Sequence, residues 1–220
     1  MTPPRRGPRP TDAGGASRDD ILEAARGVFA TAGFQGATIK AIADAAGVDT
    51  KMVHYYFGTK RDLFSLVIKD AFHSRNLLGT IIAGLNDART GDADPRGSPG
   101  SPASPGSLSS PGATYVRAIL TVVEDPRIGP TFLGLVRNLG VHEESRRIFL
   151  DFVTQEIIGG LAPHIRGGSP EFRVSLVGTQ LLGMLMARYV LEVPAIAGAD
   201  VNELADAVGP TLDRYLAGEL

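Results

Sequence analysis

Residues 51–60 read KMVHYYFGTK, a histidine and three aromatic side chains in a row with a lysine on each side. The chain as a whole is only 6% aromatic. A hydrophobic core accounts for one or two of these rings. It does not account for two phenols beside an imidazole, bracketed by Lys51 and Lys60. What these groups share is hydrogen bonding to a polar or anionic partner. Short polar side chains such as Thr50, Lys51 and His54 suit the edges of bases in a DNA major groove. A phenol at Tyr55 or Tyr56 and an ammonium at Lys60 suit phosphate oxygens, which fix the docking angle without reading sequence.

Such groups work only if local elements aim them. The stretch SRDDILEAARGVFATAGF predicts a first helix, opened by a capping box between Ser17 and Asp20 and stopped at Gly33. Its apolar stripe is Ile21, Leu22, Ala25, Val28 and Phe29. ATIKAIADAAGV predicts a second helix, with Thr38 as N-cap and Ile39, Ile42, Ala43 and Ala46 on one face, ended by Gly47. DTKMVHYYF predicts a third, capped by Asp49, with Met52, Val53 and Tyr56 inward and Gly58 as its breaker. Thr59 and Asp62 form a second box that opens a longer helix through Leu63, Phe64, Val67, Ile68, Ala71 and Phe72. Two short helices joined at Gly47 and Val48 make a helix-turn-helix. The outer face of 49–56 then carries Thr50, Lys51 and His54, and free amides at the helices opened by Thr38 and Thr59 can meet phosphate.

Bland readings stand beside these. Phe57 is assigned to the core. The Tyr56 ring can pack inward while its hydroxyl reaches a phosphate. Lys60 and Lys40 each sit in the first turn of a helix, where the dipole disfavours a cation, and that misfit favours a phosphate partner. His54 is either a half-buried surface histidine or a DNA contact. Arg5, Arg6 and Arg9 are either a minor-groove arm or a solvated tail. Arg188, inside an apolar helix, either pairs with a carboxylate or lines a pocket.

Residues 17–68 resemble the N-terminal domain of the TetR family of bacterial regulators. The stretches that carry the resemblance are GFQGAT, TIKAIADAAGV, HYYF and TKRDLF, in order and at the family's spacing. Two positions depart from the pattern. Met52 stands where the family commonly has a threonine that contacts the DNA backbone, and His54 stands where a base-contacting tyrosine is frequent. The resemblance therefore implies the docking mode but no operator preference. It implies DNA contacts at Thr38, Lys40, Thr50, Lys51, His54, Tyr55, Tyr56 and Lys60. It also implies a C-terminal domain that binds a small-molecule effector and pairs two subunits.

The expected fold is all-α: a disordered N-terminal arm over 1–16, a three-helix helix-turn-helix DNA-binding domain over 17–64, and a helical ligand-binding and dimerisation domain over 65–220. A Pro/Gly/Ser-rich loop at 90–112 interrupts the last of these. Helices are expected near 113–124, 128–139 and 143–159. A long one follows over 170–191, with Ser169 as cap and Pro170 at its first position, and a last one over 201–217. Val177, Leu181 and Leu185 share one face of the long helix; Leu204, Val208, Leu212 and Tyr215 share one face of the last. Both faces are candidates for the contact between subunits, with ordinary core as the alternative. Phe132, Leu135, Leu139, Phe149, Phe152 and Tyr189 are candidates to line an effector pocket.

Bulk properties narrow the function. The 220 residues suffice for a real core, and the net charge of −2 argues against a wholly basic nucleic-acid binder. Nine Lys and Arg against seven Asp and Glu in residues 1–64 still give that part +2. With no cysteine in the chain, no thiolate chemistry or disulfide framework is available. There is no Gly-x-Ser-x-Gly elbow, no phosphate-cradling glycine loop and no zinc-binding histidine pair; His73, His142 and His164 are scattered. No cofactor or metal is expected, and an enzyme such as a small hydrolase is disfavoured. No secretory signal or membrane span is expected, so the reading is a cytoplasmic protein. The expected function is a dimeric, ligand-released repressor on a palindromic double-stranded operator; the alternative is a helical adaptor that has lost DNA binding.

Overall fold

In a computed structural model, residues 17–91 and 110–218 are described. The arm over 1–16 with its arginines, and the loop between Gly91 and Ser110, lie outside the described residues. So do the expectations placed on them.

Every element among the described residues is helical. The head is built from α1 (Arg18–Gly36), α2 (Ile39–Ala46), α3 (Thr50–Phe57) and the start of α4 (Lys60–Ser74). The body adds α5 (Leu77–Gly91), α6 (Pro111–Glu124), α7 (Gly129–Arg137) and α8 (Glu143–Phe152). α8 continues through a π-helical stretch (Val153–Ile158) into the single turn α9 (Gly159–Leu161). Then come α10 (Pro170–Tyr189), the short α11 (Pro194–Ala197) and α12 (Val201–Ala217).

The head folds as its caps dictate. Ser17 and Asp20 form the expected box, as do Thr59 and Asp62. Both carboxyls are held below the usual range by the backbone and hydroxyl hydrogen bonds of those boxes. Gly33 has φ +64° and breaks α1, so that Phe34 swings back under the helix and packs edge-on against Phe64 at 4.9 Å. Gly47, at φ +67°, makes the left-handed turn between α2 and α3. Ile21, Phe29, Ile42, Val53, Leu63 and Phe64 fill the space between the four helices, each wholly buried.

Two expectations about the body change. Ser169 does not cap α10: it sits at φ +57° and its side chain makes no capping bond. Helix start here rests on Pro170 alone. The two ends of the 90–112 stretch are helical, because α5 runs to Gly91 and α6 begins at Pro111 with Ser110 as its cap. The helix opened by Thr59 and Asp62 runs through Phe72 as expected and ends at Ser74; Asn76, at φ +47°, then separates it from α5, a helix the sequence reading did not include. α6 and α12 cross with their backbones nearly touching: a Cβ on Gly112 would lie 2.2 Å from the Gly209 carbonyl oxygen. The Gly112 amide donates to Asp213 at 2.7 Å.

Candidate nucleic-acid interface

α3 stands on the surface of the head with its two faces fully distinguished. Val53 and Phe57 are buried behind it, in the shared core of the head. Tyr55 is 82% exposed and Tyr56 is 41% exposed. Lys51 and His54 are exposed as well, and Thr50 is half-buried at the first turn. Tyr56 therefore does not pack inward as its helical spacing suggested. Its ring meets Tyr55 edge-on at 5.2 Å, so the two phenols form one outward pair. Phe57 takes the inner position, under the Arg18 guanidinium.

The polar tips around this face have defined local partners. His54 sets Nδ1 2.7 Å from the Gly58 carbonyl oxygen, which can only accept, so the hydrogen sits on Nδ1 and Nε2 is the outward nitrogen. Asp49 caps α3 through the Lys51 amide at 2.7 Å. Thr38 accepts from the Ala41 amide at 3.0 Å. The Ile39 and Lys40 amides at the start of α2 have no partner among the described residues. Lys40 pairs with Asp44, four residues on, at 2.7 Å; both side chains are mostly exposed, so this pair can exchange for a phosphate at little cost.

Lys60 is the exception. Its ammonium donates to the carbonyls of Phe34 at 2.9 Å and Ala37 at 3.1 Å, and lies 4.4 Å above the Phe34 ring. Two of its three donors are committed inside the chain. The misfit read from the start of α4 is offset by the carbonyl-rich end of α1, which welcomes a cation. Those acceptors lie 26 and 23 residues upstream, beyond the reach of a local reading.

A family model described as bacterial regulatory proteins of the tetR family matches residues 21–67, and one described as a tetracyclin repressor-like C-terminal domain matches residues 110–216. A solved TetR-family regulator from Streptomyces coelicolor is 30% identical, covers 96% of this chain and 99% of its own, and superposes with a TM-score of 0.55. The chain belongs to the TetR family of transcriptional regulators. Two curated HTH-type transcriptional repressors match over part of the chain. The repressor NicS of Pseudomonas putida is 42% identical over 60 residues, 27% of this chain and 28% of its own. The repressor AcnR of Corynebacterium glutamicum is 36% identical over 64 residues, 29% and 32% respectively. The aligned part thus spans less than a third of these curated repressors.

In this TetR-family chain the body departs from the sequence reading at several residues. A cavity of about 210 Å³ lies between α4, α6, α7, α8 with its π-helical extension, and α10. Phe132, Phe149 and Phe152 line it as expected. Leu135, Leu139 and Tyr189 are not part of the lining. Leu135 is in the core, and the Tyr189 hydroxyl donates to Glu124 at 2.7 Å. Burial and that carboxylate push Tyr189 up to about 12. Arg188 takes the first of its two readings. It pairs with Glu124 at 3.4 Å and donates to the Ile196 and Ala199 carbonyls, each at 2.8 Å. The lining residues missed include Phe72, Tyr115, Ile119 and Val153; each reads as ordinary helix core until the neighbouring helices are in place.

The faces assigned to a subunit contact also change. Val177, Leu181, Leu185, Leu204 and Leu212 are buried within this chain's own core, and Val208 and Tyr215 pack partly against it. A residue that the subunit already buries has no surface left for a partner. The exposed side of α10 instead presents Phe172 and Gly183, with Leu176 and Ala187 half-buried beside them. Among the described residues no helix is long and apolar enough to cross a membrane, and no cluster of three or more His, Asp or Glu residues could hold a metal.

Proposed function

We propose that this TetR-family regulator is a repressor that binds a palindromic DNA operator as a homodimer and lets go when a small molecule enters its body. One observation carries the reading: α3 is braced from behind by buried Val53 and Phe57 while Lys51, His54, Tyr55 and Tyr56 face solvent. A helix of eight residues fits a major groove and reads only a few base pairs. Two copies on a twofold axis read a palindrome, with the recognition helices about 34–36 Å apart or at a wider extended spacing. In this reading Thr50, Lys51 and His54 meet base edges. Tyr55, Tyr56, Lys40 and the amides that follow Thr38 are placed to meet phosphates.

The second subunit is assigned to the outer side of α10. Gly183 is exposed there, and a Cβ built on it meets nothing within 4 Å. Gly183→Arg should fold normally and shift the chain to monomer in analytical ultracentrifugation.

Effector release needs a link between cavity and head, and α8 with its π-helical extension supplies a physical route. One side of it carries Phe149, Phe152, Val153 and Ile157 to the cavity. The other side carries Asp151, paired with Arg61 at 2.5 Å, and Glu156, paired with Lys69 at 2.8 Å and His73 at 2.9 Å. A ligand that displaces this stretch therefore pulls on α4, which carries the head. It releases DNA only as far as it prefers the released arrangement, and moving from 1:99 to 99:1 takes about 5.5 kcal/mol of preference.

The test is footprinting of the full-length protein on the intergenic DNA beside its gene. A protected palindrome, lost with Tyr55→Ala and Lys51→Ala, supports the reading. No protected site at low salt, or protection indifferent to both substitutions, refutes it and leaves a helical adaptor.

A further inference from the structure

We propose that the cavity takes an uncharged, largely apolar molecule of one or two fused rings with a single polar group, and that Tyr115 recognises that group. The proposal rests on the effector-site reading only for its regulatory meaning. The ligand class follows from the cavity itself.

Size comes first. An apolar cavity of about 150 Å³ holds benzene. One of about 210 Å³ has room for a ring or two. Charge is decided by the lining, which contains no Asp, Glu, Lys, Arg or His and is dominated by Phe72, Phe132, Phe149 and Phe152. An ion placed there would be stripped of water with nothing to pair it.

The polar group is set by three hydroxyls. Ser175 and Thr179 line the cavity but donate to the Glu171 and Leu176 carbonyls of their own helix, each at 2.7 Å. They have only lone pairs to offer. Tyr115 differs. It is 4% exposed, lines the cavity, and its hydroxyl makes no hydrogen bond among the described residues. Thr131 Oγ1 is the buried side-chain oxygen shut away without a partner among the described residues; the equally unpartnered Tyr115 oxygen is not shut away. Tyr115 is a wall of the cavity, whereas Thr131 is not among its lining residues. Burial pushes the phenol well above the ordinary tyrosine pKa, so it stays protonated and can donate or accept. A ligand carbonyl or hydroxyl would satisfy a group now left without a partner.

The test compares three probes on the full chain: 2-naphthol, naphthalene and 2-naphthoate. With no tryptophan in the chain, probe fluorescence is read without indole background. 2-Naphthol should bind, naphthalene more weakly, and naphthoate not measurably. Tyr115→Phe should weaken 2-naphthol about three- to tenfold and leave naphthalene within twofold. Gly178→Leu adds a side chain where a Cβ meets nothing within 4 Å; it should abolish binding of both neutral probes and locate them in the cavity. Naphthoate binding as well as 2-naphthol, no response to Tyr115→Phe, or no binding by either neutral probe each overturns the proposal. If 2-naphthol binds as expected but the protein's DNA affinity does not move, the ligand class stands and effector release falls.

Discussion

Two clusters of aromatic rings in this chain serve opposite ends. On α3, Tyr55 and Tyr56 meet edge-on at 5.2 Å and stand in solvent. In the body, Phe72 lies 4.7 Å from Phe152 and 5.4 Å from Phe132, and all three rings are buried around a cavity. The outward pair carries hydroxyls and the inward set does not. A phenol on a braced surface keeps its rigid ring available to a partner and offers a hydrogen bond at the tip, whereas a phenyl ring has nothing to gain from water. Tyr115 breaks the division, since it is a phenol among the inward rings.

The largest test of this division exchanges stability for affinity. Phe72→Ala removes a ring that is 5% exposed and touches two others, and should lower unfolding stability by about 3 kcal/mol in a urea titration. The low end of the range for such a change is expected because the ring already borders empty space. Tyr55→Ala, at 82% exposure, should leave stability within about 0.5 kcal/mol and weaken operator binding about tenfold in an anisotropy titration at fixed salt. A loss of stability with Tyr55→Ala would mean that the outward ring is part of the fold.

The head was readable from sequence because its determinants are local. Ser17 with Asp20, Thr38, Asp49, and Thr59 with Asp62 lie within four residues of the amides they cap. Gly33 and Gly47 mark their own turns. The errors in the head came where contacts are long-range or a face is shallow: Lys60 finds its carbonyls more than 20 residues away, and Tyr56 sits at the edge of the buried stripe. In the body the same apolar spacing describes a core face and a subunit face. Val177, Leu181 and Leu185 could not be told from an interface until α7 and α12 were seen packed on α10 and these three side chains found buried. The cavity is less legible still, because it is made of what five elements fail to fill.

Lys60 and Lys51 sharpen the comparison within the head. Both are lysines at the start of a short or capped helix, yet one points to α1 and the other to solvent. Lys51→Ala removes a cation held against the duplex, so besides any lost base contact it should make the slope of log affinity against log salt shallower by about one, and it should leave stability unchanged. Lys60→Ala should do the reverse: the slope holds, while the loss of two hydrogen bonds to carbonyls costs about 1–2 kcal/mol of stability. If Lys60→Ala instead flattens the slope with no loss of stability, its ammonium leaves the Phe34 and Ala37 carbonyls for a phosphate when DNA is bound.

The smallest effect tests the joint between the two regions. The Lys69 ammonium, with His73 beside it, holds the Glu156 carboxyl below the usual glutamate range. In the unfolded chain Glu156 binds its proton at higher pH than in the folded one, so as pH falls the unfolded state is favoured first. Its contribution is therefore complete above the ordinary glutamate pKa and is lost as pH drops through the lower folded value. Glu156→Gln should lower stability at neutral pH by a fraction of the wild-type value, and the two unfolding curves should converge towards the acid end. The same variant loosens one tie between the π-helical stretch and α4. At neutral pH it should thus also reduce the ligand-induced change in DNA affinity while leaving 2-naphthol binding intact. A variant that lost stability equally at all pH values would show that Glu156 acts through packing and not through its charge.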